Sequence, residues 1–171
     1  LEMMDNLIIN TTEDYAHAGN PRDAGALIII EVDGYPGDLE EQVSTIGEVC
    51  KKNDAKEFRV AASAAEVDKI WLARRVAFGS VARIKPNYGI NDITVPRSKF
   101  PQAIAGIEKV KKDFGATIGI VAHAGDGNLH PLILYDQRDK EDVELLHKAE
   151  VEICKMAIAL EGTVSGEHGI G

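Results

Sequence analysis

The chain has 171 residues, 44% hydrophobic and 27% charged, enough to close one sizeable core, so one domain is expected. Its 19 Lys and Arg stand against 28 Asp and Glu, and the net charge of −9 argues against nucleic acid and anionic membrane surfaces as partners. The longest apolar run, Ala26 to Ile30, falls far short of the roughly 20 residues of a membrane-spanning helix.

Leu1 to Asn20 mixes two short apolar patches with polar residues and yields no element. Ala26-Leu-Ile-Ile-Ile-Glu-Val32 is a β-branched run closed by Asp33-Gly34 and Pro36-Gly37, the pattern of a strand followed by a turn. Asp38 offers an N-cap, and Leu39, Val43, Ile46, Val49 and Cys50 recur at helical spacing up to Lys51-Lys52-Asn53. A short strand is expected over Phe58-Arg-Val-Ala61. Ser63 with Glu66 forms a capping box for a helix from Ala64 towards Val81. Pro86-Asn-Tyr-Gly89 breaks that helix, and Ile90-Asn-Asp-Ile-Thr-Val95 alternates as a half-buried strand. Pro96 opens a helix through Ile104, Ile107 and Val110, which Gly115 ends. Ala116 to His123 and Asn128 to Tyr135 read as two strands across a tight turn, and Glu141 to Leu160 as a long amphipathic helix.

Strands joined by so short a turn run antiparallel, so the fold class is α+β: a ferredoxin-like antiparallel or mixed sheet with helices on one face. The open face would meet a further domain or a second copy of the chain. The two cysteines, Cys50 and Cys154, lie far apart in helical segments and read as reduced thiols of a cytoplasmic protein.

The chemistry concentrates in the last third. In His123-Ala-Gly-Asp-Gly-Asn-Leu-His130, Asp126-Gly127 is the preferred centre of a two-residue type I′ turn. That turn would set His123 directly opposite His130, with β-carbons about 4.5 to 5.5 Å apart, close enough for both rings to reach one metal ion. The alternative is two rings stacked in a polar hairpin. Downstream, Gly162-Thr-Val-Ser-Gly-Glu-His-Gly-Ile-Gly171 places Glu167 beside His168 among glycines that allow close backbone approach. Two histidines and one carboxylate would leave a coordination position open, as a catalytic site requires. A solvated tail and a phosphate-cradling loop are the other readings of this segment. Arg74 shares a helix face with Trp71, and its guanidinium suits a carboxylate, although a solvated surface residue is the plainer reading.

Taken together, His123-Ala-Gly-Asp-Gly-Asn-Leu-His-Pro131, Ser165-Gly-Glu-His-Gly-Ile-Gly171, Trp71-x-x-Arg74 and Asp92-Ile-Thr-Val-Pro-Arg97 resemble the C-terminal substrate domain of the FAD-linked 2-hydroxyacid oxidases and dehydrogenases, the vanillyl-alcohol-oxidase-like flavoproteins. Within that family the resemblance is to the glycolate oxidase D-type subunit and D-lactate dehydrogenases. It implies a divalent metal, zinc, manganese or iron, held by His123, His130 and Glu167. It implies His168 as the general base, Arg74 as the holder of the substrate carboxylate, and Asn128, Gly166 and Gly169 towards the FAD cofactor. Residues 1–171 would then be the substrate- and metal-binding domain of a larger flavoprotein, inactive without its FAD-binding domain and partnered by electron-transfer subunits. Such an enzyme would be cytoplasmic, or peripheral to the inner membrane through those subunits.

Two departures bear on the substrate. Ile90 stands where the 2-hydroxyglutarate branch has a lysine and Leu132 where it has an asparagine, which favours a small 2-hydroxy monocarboxylate such as glycolate or D-lactate. Two rival readings use the same residues: a metal-dependent hydrolase with water as nucleophile, lacking the helix-borne H-E-x-x-H signature, and a non-catalytic module that binds a small acid and regulates a partner.

Overall fold

Asp5 ends the first strand and caps the first helix. Strand β1 spans Glu2–Asp5 and helix α1 Asn6–Ala16, with the Asp5 carboxylate accepting from the Ile8 amide at 3.0 Å. The computed structural model describes residues 1–170, so the last glycine of the tail motif, Gly171, lies outside the described residues. The opening segment, in which the sequence pattern marks no element, is thus a strand and a helix. Its signal is weak because each element is short and flanked by polar residues.

Edge strand β2 is Ala26–Ile29, and helix α2 is Pro36–Lys52. Tyr35, not Asp38, is the N-cap of α2, because Pro36 with its preset φ opens the first turn. No strand forms over Phe58 to Ala61; the Phe58 ring instead lies against Gly47 of α2. Helix α3, Ala64–Ser80, starts as the capping box requires, the Ser63 hydroxyl accepting from the Glu66 amide at 3.3 Å. Strands β3, Asn87–Ile90, and β4, Ile93–Thr94, follow. The expected single strand is therefore split, and its first half begins within the residues read as a breaker. Gly89 tolerates the ladder because it faces Leu146, where a β-carbon would crowd that side chain. Helix α4 is Phe100–Phe114, closed by Gly115 at φ 66°. Strands β5, Ile118–His123, and β6, Asn128–Tyr135, precede helix α5, Lys140–Ala159.

The sheet runs β2-β1-β5-β6-β3, with β4 also on β6, and the strand pairs are antiparallel. The α+β antiparallel class is as expected, but helices cover both faces of the sheet, not one. Ile118, Ile120, Ala122, Leu129 and Ile133 pack with α4 and α5, while Val121, Leu132 and Leu134 pack with Ile8 and Ile9 of α1 and Ala73 and Ala77 of α3. The reason is in the two central strands, which are apolar at both parities and so need a layer on each side. Helix α2 buries no residue and stands apart from these layers. No described helix is long and apolar enough to cross a membrane.

Candidate functional site

Residues from six segments meet at one end of the sheet, on the face shared with α1 and α3. Backbone pairing sets the frame. Glu2 lies opposite His123, His123 opposite Asn128, and Asn128 opposite Thr94, one row across four strands. One step inward, Met4, Val121 and His130 form the next row.

The turn joining β5 to β6 differs from the expected type I′. His123 pairs with Asn128 and Val121 with His130, so Ala124 to Gly127 form a four-residue loop in which only Gly127, at φ 79°, has the positive φ that type I′ needs twice. The loop is drawn onto the neighbouring segment: the Val95 amide donates to the Gly127 carbonyl at 2.9 Å, and a β-carbon at Gly127 would collide with the Val95 carbonyl. A two-residue slip preserves side-chain parity. The His123 and His130 rings therefore still share a face, as diagonal neighbours with centroids 5.3 Å apart and planes at 89°.

The tail after α5 is pinned. Thr163 exchanges backbone hydrogen bonds with Thr94, at 2.8 and 3.2 Å, which returns the chain over β4. Beyond it, Asp92 holds the loop. Its Oδ2 accepts from the amides of Gly166, Glu167 and His168 at 2.8, 2.7 and 2.8 Å and from the Ser165 hydroxyl at 3.2 Å, while Oδ1 accepts from the Asn128 amide at 2.7 Å. The glycine-rich segment thus wraps an internal carboxylate with the kind of N–H nest that elsewhere binds phosphate. Burial by itself would raise the Asp92 pKa. The His168 amide, the Asn128 side chain and the amides of Glu167 and Gly166 outweigh it and hold the carboxyl well below the usual range.

So anchored, the loop aims Glu167 and His168 at the sheet. Glu167 Oε1 lies 3.1 Å from His130 Nε2, 3.5 Å from His123 Nε2 and 3.6 Å from His168 Nε2. The His168 ring stacks on His130, centroids 5.0 Å apart and planes 12° apart. His130 is buried and its Nδ1 has no hydrogen-bond partner among the described residues. Burial, then the neighbouring His123, pushes the His130 pKa down, which favours the neutral imidazole that a metal ion needs.

Donor atoms of Asp92, His130, Glu167 and His168 all lie within 4.8 Å of one another, with His123 meeting this group through Glu167. Asp92 already accepts from five donors, so its oxygens are committed to the loop. The donors left to face an ion are the Nε2 atoms of the three imidazoles and the Glu167 carboxylate. Two or three imidazoles with one carboxylate form the donor chemistry of a zinc, manganese or iron site.

Arg74, on α3, is mostly shielded from solvent, and its Nε donates to Glu2 Oε2 at 2.8 Å. The other Glu2 oxygen lies 2.7 Å from His123 Nδ1. Of the residues expected towards a cofactor, Asn128 spends its amide nitrogen on Asp92, Ile93 and Thr94, and Gly166 is packed against Asn128, Thr94 and Asp92. Gly169, at φ 77°, has open space above its Cα. Two residues without an assigned role in the sequence prove central. For Asp92 the available signal was an acid opening the apolar run Ile93-Thr-Val95, whereas nothing local marks Glu2.

Gly166→Ala tests the pinned loop, since its β-carbon would overlap the Asn128 amide nitrogen and Thr94 hydroxyl and lie 3.0 Å from Asp92 Oδ1. A stability loss of about 1–3 kcal/mol is expected in thermal melts. Gly169→Ala, strained only by its φ, should lose about 1 kcal/mol.

The glycolate oxidase subunit GlcD of Escherichia coli (strain K12) is 39% identical over 171 residues, covering 100% of this chain and 34% of the relative. The protein of the same name from Bacillus subtilis (strain 168) is also 39% identical over the whole chain, which covers 36% of it. A Danio rerio protein named "Probable D-lactate dehydrogenase, mitochondrial" is 30% identical over 176 aligned residues, 100% of this chain and 34% of the relative. The chain spans about a third of the length of these curated relatives. Residues 1–171 match throughout the family described as FAD linked oxidases, C-terminal domain, and the chain belongs to that family.

Proposed function

We propose that residues 1–171 form the substrate- and metal-binding domain of an FAD-dependent oxidoreductase that converts glycolate, D-lactate or a similar small 2-hydroxy monocarboxylate to the 2-oxo acid. The FAD-binding domain and electron-transfer subunits would come from outside this sequence, and any membrane association would come through those subunits. The observation that carries this reading is one carboxylate oxygen, Glu167 Oε1, facing three imidazole Nε2 atoms at 3.1 to 3.6 Å. The family and the relatives' names support the redox chemistry.

His123, His130 and Glu167 would hold the divalent ion, which supplies a Lewis acid for the substrate hydroxyl, while FAD supplies the acceptor for the α-hydrogen and its electron pair. His168 takes the hydroxyl proton at Nε2, and its stacking on His130 holds that nitrogen beside the Glu167 oxygen. Arg74 binds the substrate carboxylate through its terminal nitrogens, Nε being held by Glu2. Asn128 and Gly166 act through Asp92 to fix the loop, and Gly169 leaves room for the cofactor to approach.

Ile90 and Leu132 are direct cross-strand partners, and Leu132 follows His130 by two on the same face. This apolar pair gives no partner to a second carboxylate. Ile90 is 38% exposed, so Ile90→Lys should fold. A charge-assisted hydrogen bond of roughly 1.5–3 kcal/mol should raise kcat/KM for 2-hydroxyglutarate relative to D-lactate by about tenfold or more.

The deciding experiment is reduction of an artificial electron acceptor by the intact flavin-loaded protein with glycolate and D-lactate, before and after chelation. Turnover should disappear with the metal and return on adding zinc or manganese. Full turnover in a metal-free, flavin-loaded protein would overturn the reading.

A further inference from the structure

Glu2 has its two oxygens on two different working groups. Oε1 sits 2.7 Å from His123 Nδ1, and Oε2 accepts from Arg74 Nε at 2.8 Å. The Glu2 and Arg74 side chains are only 16% and 13% exposed, so this is not a screened surface pair. Backbone register builds the contact, since Glu2 is the direct antiparallel partner of His123.

A carboxylate can only accept, so the hydrogen bond places a His123 proton on Nδ1 and leaves Nε2 as the ring nitrogen facing Glu167 Oε1, 3.5 Å away. A ring nitrogen facing a carboxylate oxygen needs a proton or a metal ion between them, and with Nδ1 spent on Glu2, Nε2 is the nitrogen that a metal ion can reach. On Arg74, the same carboxylate takes Nε and leaves both terminal nitrogens, which form no hydrogen bond among the described residues. A fork held at Nε presents its end to an incoming carboxylate.

We propose that Glu2 is a positioning residue that joins the two halves of the site: it sets the His123 tautomer for a metal ion and orients the Arg74 fork for the substrate carboxylate. The proposal rests on the roles given above to His123 and Arg74. Carboxylates behind metal-bound imidazoles hold both ring orientation and tautomer, and their loss weakens metal binding by about 10–100-fold.

The test uses the intact protein, with the zinc dissociation constant measured by competition with a chromogenic chelator and KM and kcat measured with D-lactate. Glu2→Ala should weaken zinc by about 10–100-fold and raise KM. Glu2→Gln, isosteric and suited to the same strand position, leaves one acceptor oxygen for two donors and should show a smaller loss in zinc affinity or in KM. A purely structural ion pair would lower the melting temperature and leave both quantities unchanged in the folded protein. If the wild type binds zinc and both variants match it in zinc affinity and KM, the role of Glu2 is overturned and the site reading stands. If the wild type binds no divalent ion, the site reading falls and the role of Glu2 with it.

Discussion

His130→Ala in the intact protein is expected to abolish stoichiometric metal binding and to lower turnover of glycolate or D-lactate by about 10³-fold, since Lewis-acid activation of a hydroxyl contributes several kcal/mol. His130 is the most buried of the three imidazoles around Glu167 and approaches it most closely, at 3.1 Å. The effect should separate from folding. Truncation opens a cavity but also removes a buried ring whose Nδ1 has no partner, and these changes oppose one another. The readout is therefore the stabilisation added by metal, about 2.7 kcal/mol at a hundred times the dissociation constant, which the wild type should show in thermal melts and the variant should lack. A variant that keeps one tightly bound ion would remove His130 from the centre.

Asp92→Ala should do comparable damage by a different route. It strips the acceptor from the amides of Gly166, Glu167 and His168 and from Asn128, on the order of 3 kcal/mol of stability once water has re-solvated the exposed loop. Glu167 and His168 would lose their aim together, so kcat should fall by about 10²–10⁴-fold, as when a general base is removed. Asp92→Asn separates charge from shape, because the amide keeps the volume but meets the loop's N–H groups with one oxygen. It also carries a pH signature. The folded Asp92 carboxyl titrates below its unfolded value of about 3.9. Its stabilising contribution is therefore complete above that value and is lost as pH falls below it. Acid unfolding followed by circular dichroism should be less steep for Asp92→Asn in that window. An unchanged slope with wild-type kcat would show that the loop stands without this carboxylate.

Much of the site was legible because its residues sit in short, chemically marked strings. His123 and His130 share a face across a four-residue loop just as they would across a two-residue turn. Alternation along the strands decides parity, and the slip was by two residues, where a slip of one would have sent the rings to opposite faces. Glu167 and His168 were marked by flanking glycines, and the tail that carries them is held by Asp92 and is not a free solvated end. The helix over Ala64 to Ser80 was readable from Ser63 and Glu66 because capping is local.

By itself, then, the sequence determined the α+β class, the hairpin carrying both histidines, and the donor types around Glu167, since periodicity, caps and residue chemistry act over a few neighbours. Only the tertiary structure decided that helices cover both faces, that Phe58 packs on Gly47 and forms no strand, and that Glu2 and Asp92 stand behind the site. Those facts depend on pairing between segments as far apart as Glu2 and His123 or Asp92 and His168. Such pairing is selected by burial and backbone hydrogen bonding across the whole sheet, and no short window of residues contains it.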